Sequence, residues 1–196
     1  AQAGRPKNAR NSKPPMIENI RLTHYRLLVV EGNPWDRRQI ASMLRAFGAT
    51  DIHFAYTGRE AMHTIENLLP DMVIIAERLT DISGAKVVKL IRRHKARPVN
   101  HIPILFVVSS VSKSGIESIA RLGVHELICK PFSTKTLIDR IYWTLMVPRS
   151  FVRTRNYFGP EPRTRFWESA LGMFATNDEF GFIADERPRD PDVVEL

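Results

Sequence analysis

The chain has 196 residues, of which 43% are apolar and 26% charged, and these are values of a globular protein. This length allows one ordinary domain with extensions, or two very small domains. Cys129 is the single cysteine, which excludes an intrachain disulfide and a cysteine-based metal site. We see no apolar run of about 18 residues and no secretory signal, so we expect a cytoplasmic protein without a membrane span.

The net charge of +8 is unevenly distributed along the chain. Residues 1–24 carry +4, residues 25–147 carry +6, residues 148–165 carry +4, and residues 166–196 carry −6. Charged segments of this kind are commonly solvated, and we predict a basic, mostly disordered arm over residues 1–24. Contact with an acidic partner, a nucleotide or an anionic surface stays open for both ends.

Five apolar or alternating runs predict β-strands at residues 25–30, 51–55, 71–76, 102–108 and 126–129. Amphipathic stretches predict five helices at residues 34–48, 57–69, 84–95, 112–123 and 133–145. Asn33 and Ser133 are predicted N-caps, and Pro34 suits the first helical position. Cys129 falls within the last strand, where we expect it to be buried.

Strands that alternate with helices predict an α/β fold with a parallel sheet covered on both faces. Ligands of such folds bind beyond the carboxyl ends of the strands. Those ends are Glu31–Gly32, Ala55, Ala76, Val108–Ser109 and Lys130. We therefore expect any site to include residues from this set.

Several motifs resemble the receiver domain of bacterial response regulators, the chemotaxis-type or CheY-like family. They are "LLVVEGNP" at the first strand, "PDMVIIA" at the third, "IPILFVVSS" at the fourth and "LGVHELICKPF" at the fifth. Gly84 follows the end of the third strand at the family spacing, and a short insertion is expected near residues 97–101. The resemblance implies a flavodoxin-like (βα)5 domain over residues 25–146, with strand order 2-1-3-4-5. It also implies a place in two-component or phosphorelay signalling.

The family's phosphorylation chemistry does not carry over to this sequence. Receivers hold Mg²⁺ through an acidic pair and an acceptor Asp, and here the pair reads Glu31–Gly32. Ala76 occupies the acceptor position, and alanine cannot form an aspartyl phosphate. Glu77, its neighbour, is expected to point away from the pocket. We therefore predict a degenerate receiver in which Mg²⁺ binding is lost or weak.

The remaining pocket positions are retained in part. The fourth-strand hydroxyl position reads Val108, and Ser109, one residue later, is expected on the other face. Lys130 is retained, and we predict that it forms an ion pair with Glu31. Leu127 stands where the family has an aromatic switch residue on the fifth strand.

The sequence as a whole favours a protein-interaction module that does not use phosphate as its switch and is not an enzyme. Its predicted contact face includes Leu127, Lys130, Pro131 and Phe132, toward a protein partner in a signalling pathway. Self-association through the receiver domain stays open. DNA binding is not expected, because residues 147–196 show no helix-turn-helix.

Two alternatives remain. The chain could bind a cyclic dinucleotide or another nucleotide through the arginine clusters, for which the candidates are Arg92, Arg93, Arg153 and Arg155. It could also be phosphorylated at a non-standard residue, such as Glu77. The tail, residues 147–196, mixes arginine with aromatic residues before it becomes acidic; it could fold back on the receiver, or contact a protein or a nucleotide. One short helix is possible at residues 167–174.

Overall fold

A computed structural model describes residues 21–110 and 112–161, together with the backbone of residues 193–194. The five predicted strands are β1 Arg26–Val30, β2 Asp51–Ala55, β3 Met72–Ala76, β4 Ile104–Val108 and β5 Glu126–Cys129. The five predicted helices are α1 Pro34–Ala46, α2 Gly58–Leu68, α3 Gly84–Arg92, α4 Lys113–Ala120 and α5 Thr134–Leu145. All strand pairs are parallel and their order is β2-β1-β3-β4-β5, which confirms the flavodoxin-like, doubly wound α/β fold.

The sheet is buried on both faces because its strands are continuous apolar runs. One core cluster joins alternate sheet residues such as Val73 and Ile75 to α2, α3 and α4. The other joins the intervening residues, such as Met72 and Ile74, to α1 and α5. This arrangement leaves the carboxyl ends of the strands open for a site.

The helix starts follow from capping side chains. The side chains of Asn33, Thr57, Ser83, Ser112 and Ser133 accept backbone N–H groups in the first turns of α1 to α5. The predicted caps at Asn33 and Ser133 are thus confirmed.

Some element bounds differ from the prediction. The third helix ends at Arg92 and the fourth strand begins at Ile104, with a short 3-10 helix, Val99–His101, between them. This is the region where we expected an insertion. Cys129 is exposed, contrary to expectation, because it is the last residue of an edge strand.

The N-terminal arm reaches the core at its last residues. Leu22 is fully buried among the residues of β1, β3 and α1, and its N–H donates to Phe47 O at 3.0 Å. Leu22 is therefore part of the domain, although we had counted it in the arm. The rest of that prediction concerns residues 1–20, which lie outside the described residues.

A second, small sheet follows the fifth helix, where we predicted no strands. Its strands are β6 Phe151–Arg153, β7 Phe158–Pro160 and β8 Val193–Val194, in the order β7-β6-β8. Strands of two or three residues are too short for an alternating pattern to be recognised in the sequence. The helix predicted at residues 167–174 lies outside the described residues. Among the described residues, no helix combines the length and apolar character that a membrane crossing requires.

Candidate functional site

A polar cleft of about 370 Å³ lies at the carboxyl ends of β1, β3 and β4. Five of the six predicted pocket positions line it, namely Glu31, Gly32, Ala76, Ser109 and Lys130. These residues, which follow or end different strands, therefore meet in one cleft.

Lys130 is held between two carboxylates. Its Nζ lies 2.8 Å from Glu31 Oε2 and 2.6 Å from Asp36 Oδ2. Partial burial works to lower the pKa of Lys130, but hydrogen bonds to Asp36 and Glu31 outweigh it and raise that pKa above its ordinary value. The ion pair predicted between Lys130 and Glu31 is confirmed, and Asp36 is a second partner that the sequence analysis missed.

Glu31 is positioned by its neighbours as well as by Lys130. Its side chain is only 4% exposed, and its Oε1 accepts the N–H of Asn33 at 2.9 Å. Arg37 donates to the backbone carbonyl of Glu31 at 3.1 Å. A buried carboxylate with these partners is a fixed part of the cleft wall.

Ala76 is the last residue of β3 and lines the cleft. The residue is 5% exposed. A Cβ at Gly84 would lie 2.0 Å from Ala76 O, so the start of α3 requires glycine in order to approach β3. The start of α3 is therefore packed closely against a cleft residue that carries no carboxylate.

Two residues differ from the predicted orientation. Ser109 lines the cleft, and its Oγ accepts a hydrogen bond from Arg78 Nη2 at 3.1 Å, whereas Val108 lies in the core at 1% exposure. Glu77 also lines the cleft. Alternation between the faces holds inside a strand, but Glu77 and Ser109 each follow the last residue of theirs.

Three carboxylates line the cleft, those of Glu31, Asp36 and Glu77, and Lys130 binds two of them. Gly32 and Ala76 have no side-chain oxygen, and the carboxylates of Glu31 and Asp36 are both engaged by Lys130. Magnesium in proteins requires near-octahedral oxygen coordination, commonly with one or two free carboxylates and phosphate oxygens. Among the described residues, no group of three or more His, Cys, Asp or Glu side chains is arranged to hold a metal ion.

A groove of about 300 Å³ adjoins the cleft on the outer side of Lys130. It is lined by Asp36, Gln39, Ile40, Lys130, Pro131 and Phe132. Three of the four predicted contact residues, Lys130, Pro131 and Phe132, thus lie together. Leu127 does not join them, because it is 3% exposed and packs in the core.

The arginines considered for nucleotide binding lie away from this cleft. Arg92 is buried, donates to Gly123 O at 2.7 Å and to Asn100 O at 2.9 Å, and desolvation lowers its pKa. Arg153 stacks on Phe158, with 4.2 Å from Cζ to the ring centroid. These contacts give Arg92 and Arg153 structural roles. The other two candidates, Arg93 and Arg155, are each exposed.

The class of protein that this fold and cleft define is the flavodoxin-like receiver. The family model for the response regulator receiver domain matches residues 27–142, more than half of the chain. The chain therefore belongs to the response regulator receiver domain family.

Two curated relatives illustrate the match. The chain is 29% identical over 113 residues to the regulatory protein AtoC of Escherichia coli, covering 57% of this chain and 23% of AtoC. It is 26% identical over 115 residues to the polar-differentiation response regulator DivK of Brucella ovis, covering 59% of this chain and 91% of DivK. The match thus extends over most of DivK but under a quarter of AtoC.

Two solved structures share the fold. One is the receiver domain of the sensor histidine kinase PA1611 of Pseudomonas aeruginosa, with magnesium coordinated in its cleft. It has a TM-score of 0.57 at 22% identity, covering 62% of this chain and 98% of that one. The other is the chemotaxis protein CheY4 of Vibrio cholerae, with a TM-score of 0.55 at 22% identity, covering 61% of this chain and 97% of that one.

Proposed function

We propose that this receiver domain is a degenerate one, and that it acts in two-component signalling as a protein-interaction module independent of phosphorylation. The observation that carries the proposal is the position of Lys130 Nζ between Glu31 and Asp36, beside the methyl group of Ala76. The family relationship supports a signalling role, and the cleft chemistry supports the loss of the phosphate switch.

Phosphorylation of a receiver requires a carboxylate nucleophile. An acyl phosphate forms when a carboxylate oxygen attacks phosphorus, and Ala76 offers no such oxygen. Glu77 does line the cleft, but it belongs to the segment that leaves β3, where its N–H donates to Val107 O at 2.8 Å.

Lys130 is already bound by two of the three acids that line the cleft, Glu31 and Asp36, at hydrogen-bonding distance. Charge-assisted bonds of this kind are the strong ones, so an incoming phosphoryl group would have to compete with both carboxylates for the lysine. The ion pairs hold the cleft in one arrangement without a phosphate.

The groove beside Lys130 is a surface that a partner could contact. It is lined by the exposed residues Gln39 and Pro131 and by the half-buried Phe132, next to the charged groups of Asp36 and Lys130. Accessible aromatic residues beside polar groups are enriched in protein-binding sites. The partner predicted for this face is a protein of the same signalling pathway.

The test of the phosphate-independent state uses the full chain in the presence of Mg²⁺. Acetyl phosphate is added and the intact mass is measured, and beryllofluoride is titrated in a parallel amide NMR experiment. We expect no phosphoryl adduct and no saturable shifts at Ala76, Ser109 or Lys130. Saturable shifts there would show that an anion site survives, and an adduct mapped to Glu77 would establish the non-standard acceptor instead.

The test of the interaction surface uses a photo-crosslinking amino acid at position 39 in cells. The matched control carries it at position 95, an exposed residue beyond the end of α3. We expect a discrete protein adduct from position 39 and none from position 95. The same adducts from both positions would contradict a contact face at the groove.

A further inference from the structure

The segment after α5 forms a hairpin, and this hairpin lies beyond the matched family region. Strands β6 and β7 pair antiparallel, with Phe151 opposite Pro160 and Arg153 opposite Phe158. Phe151 is 6% exposed, and the centroid of its ring lies 4.3 Å from that of the His101 ring. The hairpin is therefore packed on the receiver domain.

Polar contacts fix the base of the hairpin. Arg149 Nη1 donates to His125 O at 2.6 Å, and the same guanidinium donates to Glu161 O. A Cβ at Gly159 would lie only 2.6 Å from Gly123 Cα, so the two backbones are in direct contact. His125 directly precedes β5, which places the hairpin at the amino ends of the strands, opposite the cleft.

The second edge of β6 takes a strand from the far end of the chain. Val193–Val194 pairs with it in parallel, Val193 opposite Phe151 and Val194 opposite Val152. Residues 162–192 connect this strand to the hairpin. A ladder of two residues is short, and the backbone groups of an exposed edge strand can pair with any extended chain.

The charge of the two segments is complementary. Residues 148–165 carry +4, and residues 166–196 carry −6. Arg153 lies within β6 and Arg155 is exposed just after it. The residues that flank the paired strand are acidic, namely Asp190, Asp192 and Glu195. Opposite charges on the two strands favour an acidic extended peptide at this edge over a basic one.

We propose that the second edge of β6, the one opposite β7, is a strand-addition site for an extended acidic peptide, and that the chain's own strand Val193–Val194 occupies it in cis. Tethering through residues 162–192 gives that segment a high effective concentration at β6, which compensates for the short ladder. Binding of the chain's own strand at this edge is reversible, so an acidic strand with the same pattern in another protein competes for the edge. This proposal does not depend on the state of the cleft.

The experiment uses the full chain with substitutions that displace its own strand, Val193–Val194, from the site. Proline at positions 193 and 194 removes the N–H groups of the added strand, whereas the matched control, Val193→Ala with Val194→Ala, retains them. A fluorescent peptide of residues 190–196 is the probe, and its binding is measured by anisotropy at low and high salt. A second probe peptide carries proline at both valine positions.

We expect the proline variant to bind the unaltered peptide at least tenfold more tightly than the parent and the alanine control do. Binding should weaken with salt, and amide shifts should be confined to residues 151–153. Equal binding by all three chains, or equal binding of the proline-containing peptide, would overturn the proposal. A parent that is dimeric by sedimentation, with a monomeric proline variant, would overturn cis occupancy by placing the segment on a second copy.

Discussion

Lys130 Nζ lies 2.6 Å from Asp36 Oδ2, so the residue after β5 is tied to the first turn of α1. The same amine reaches Glu31 at 2.8 Å. Asp36 suits its place independently, because a carboxylate in the first turn of a helix is stabilised by the helix dipole. One lysine thus joins the two elements that border the cleft and the adjoining groove.

The first prediction concerns the energy of this arrangement. Lys130→Met should lower the free energy of unfolding by about 3 kcal/mol, because it leaves Glu31, with a side chain only 4% exposed, without its cation. The matched control is Lys135→Met, which removes an exposed pair with Asp139 and should cost about 0.5 kcal/mol or less. Urea unfolding at neutral pH measures both, and losses of equal size would contradict a structural role for Lys130.

The second prediction restores carboxylates to the cleft. A Cβ at Gly32 would lie 3.3 Å from Tyr56 O and 3.7 Å from Thr80 Cγ2, so aspartate fits there with a small adjustment. We expect the double variant Gly32→Asp, Ala76→Asp to be less stable than the parent without Mg²⁺, through repulsion with Glu31, and to gain stability as Mg²⁺ is added.

Thermal unfolding with and without Mg²⁺ measures this effect, and amide NMR with beryllofluoride reports the anion. The matched control is Gly32→Asn, Ala76→Asn, which has similar volume but no added charge. If the aspartate variant shows no larger Mg²⁺ response than the asparagine variant, the cleft has lost more than its two carboxylates.

The third prediction concerns pH. Asp81 accepts the N–H groups of Gly58 at 2.7 Å and Arg59 at 3.0 Å, which joins the loop after β3 to the start of α2. These bonds, that of Gly58 first, lower the pKa of Asp81 from 3.8 to about 2. A folded-state pKa below the unfolded value means that the stabilisation is complete above pH 3.8 and is lost as the pH falls through about 2.

Asp81→Asn should therefore be less stable than the parent at neutral pH, and the difference should shrink as the pH falls through that window. Urea midpoints of both proteins, measured from about pH 6 to about pH 2, follow the difference. A difference that stays constant over this range would show that the charge of Asp81 does not contribute.

The fourth prediction compares two adjacent arginines. Arg92→Met should cost about 2–4 kcal/mol, because the buried carbonyls of Gly123 and Asn100 lose their donor. Arg93→Met is the matched control; Arg93 is exposed, so we expect a change within about 0.5 kcal/mol. Amide exchange at Val152 should also rise in the Arg92 variant, since the guanidinium lies 5.3 Å from the ring of Phe151 in β6. Unchanged amide exchange at Val152 would show that Arg92 does not stabilise the hairpin.

The sequence predicted the receiver fold, and five of the six pocket positions that it singled out line one cleft. Apolar strands between amphipathic helices limit the topology, and local signals such as Asn33 and Ser133 fix the helix starts. The pair of Lys130 with Glu31 was expected because Ala76 supplies no carboxylate, which leaves Glu31 as a partner for the lysine. These features depend on short-range sequence patterns or on the order of the strands along the chain, and both can be recognised in the amino-acid sequence.

Only the tertiary structure decided the rest. Asp36 joins Lys130 across 94 residues, and no local pattern indicates which of several carboxylates lies within reach. Ser109 turns into the cleft because it lies just past the end of β4, a boundary that side-chain alternation does not define to one residue. Arg92 is buried between the receiver domain and the hairpin, with its Cζ 5.3 Å from the ring centroid of Phe151. Strands of three residues, such as those of the hairpin, gain their stability from such packing rather than from their own sequence.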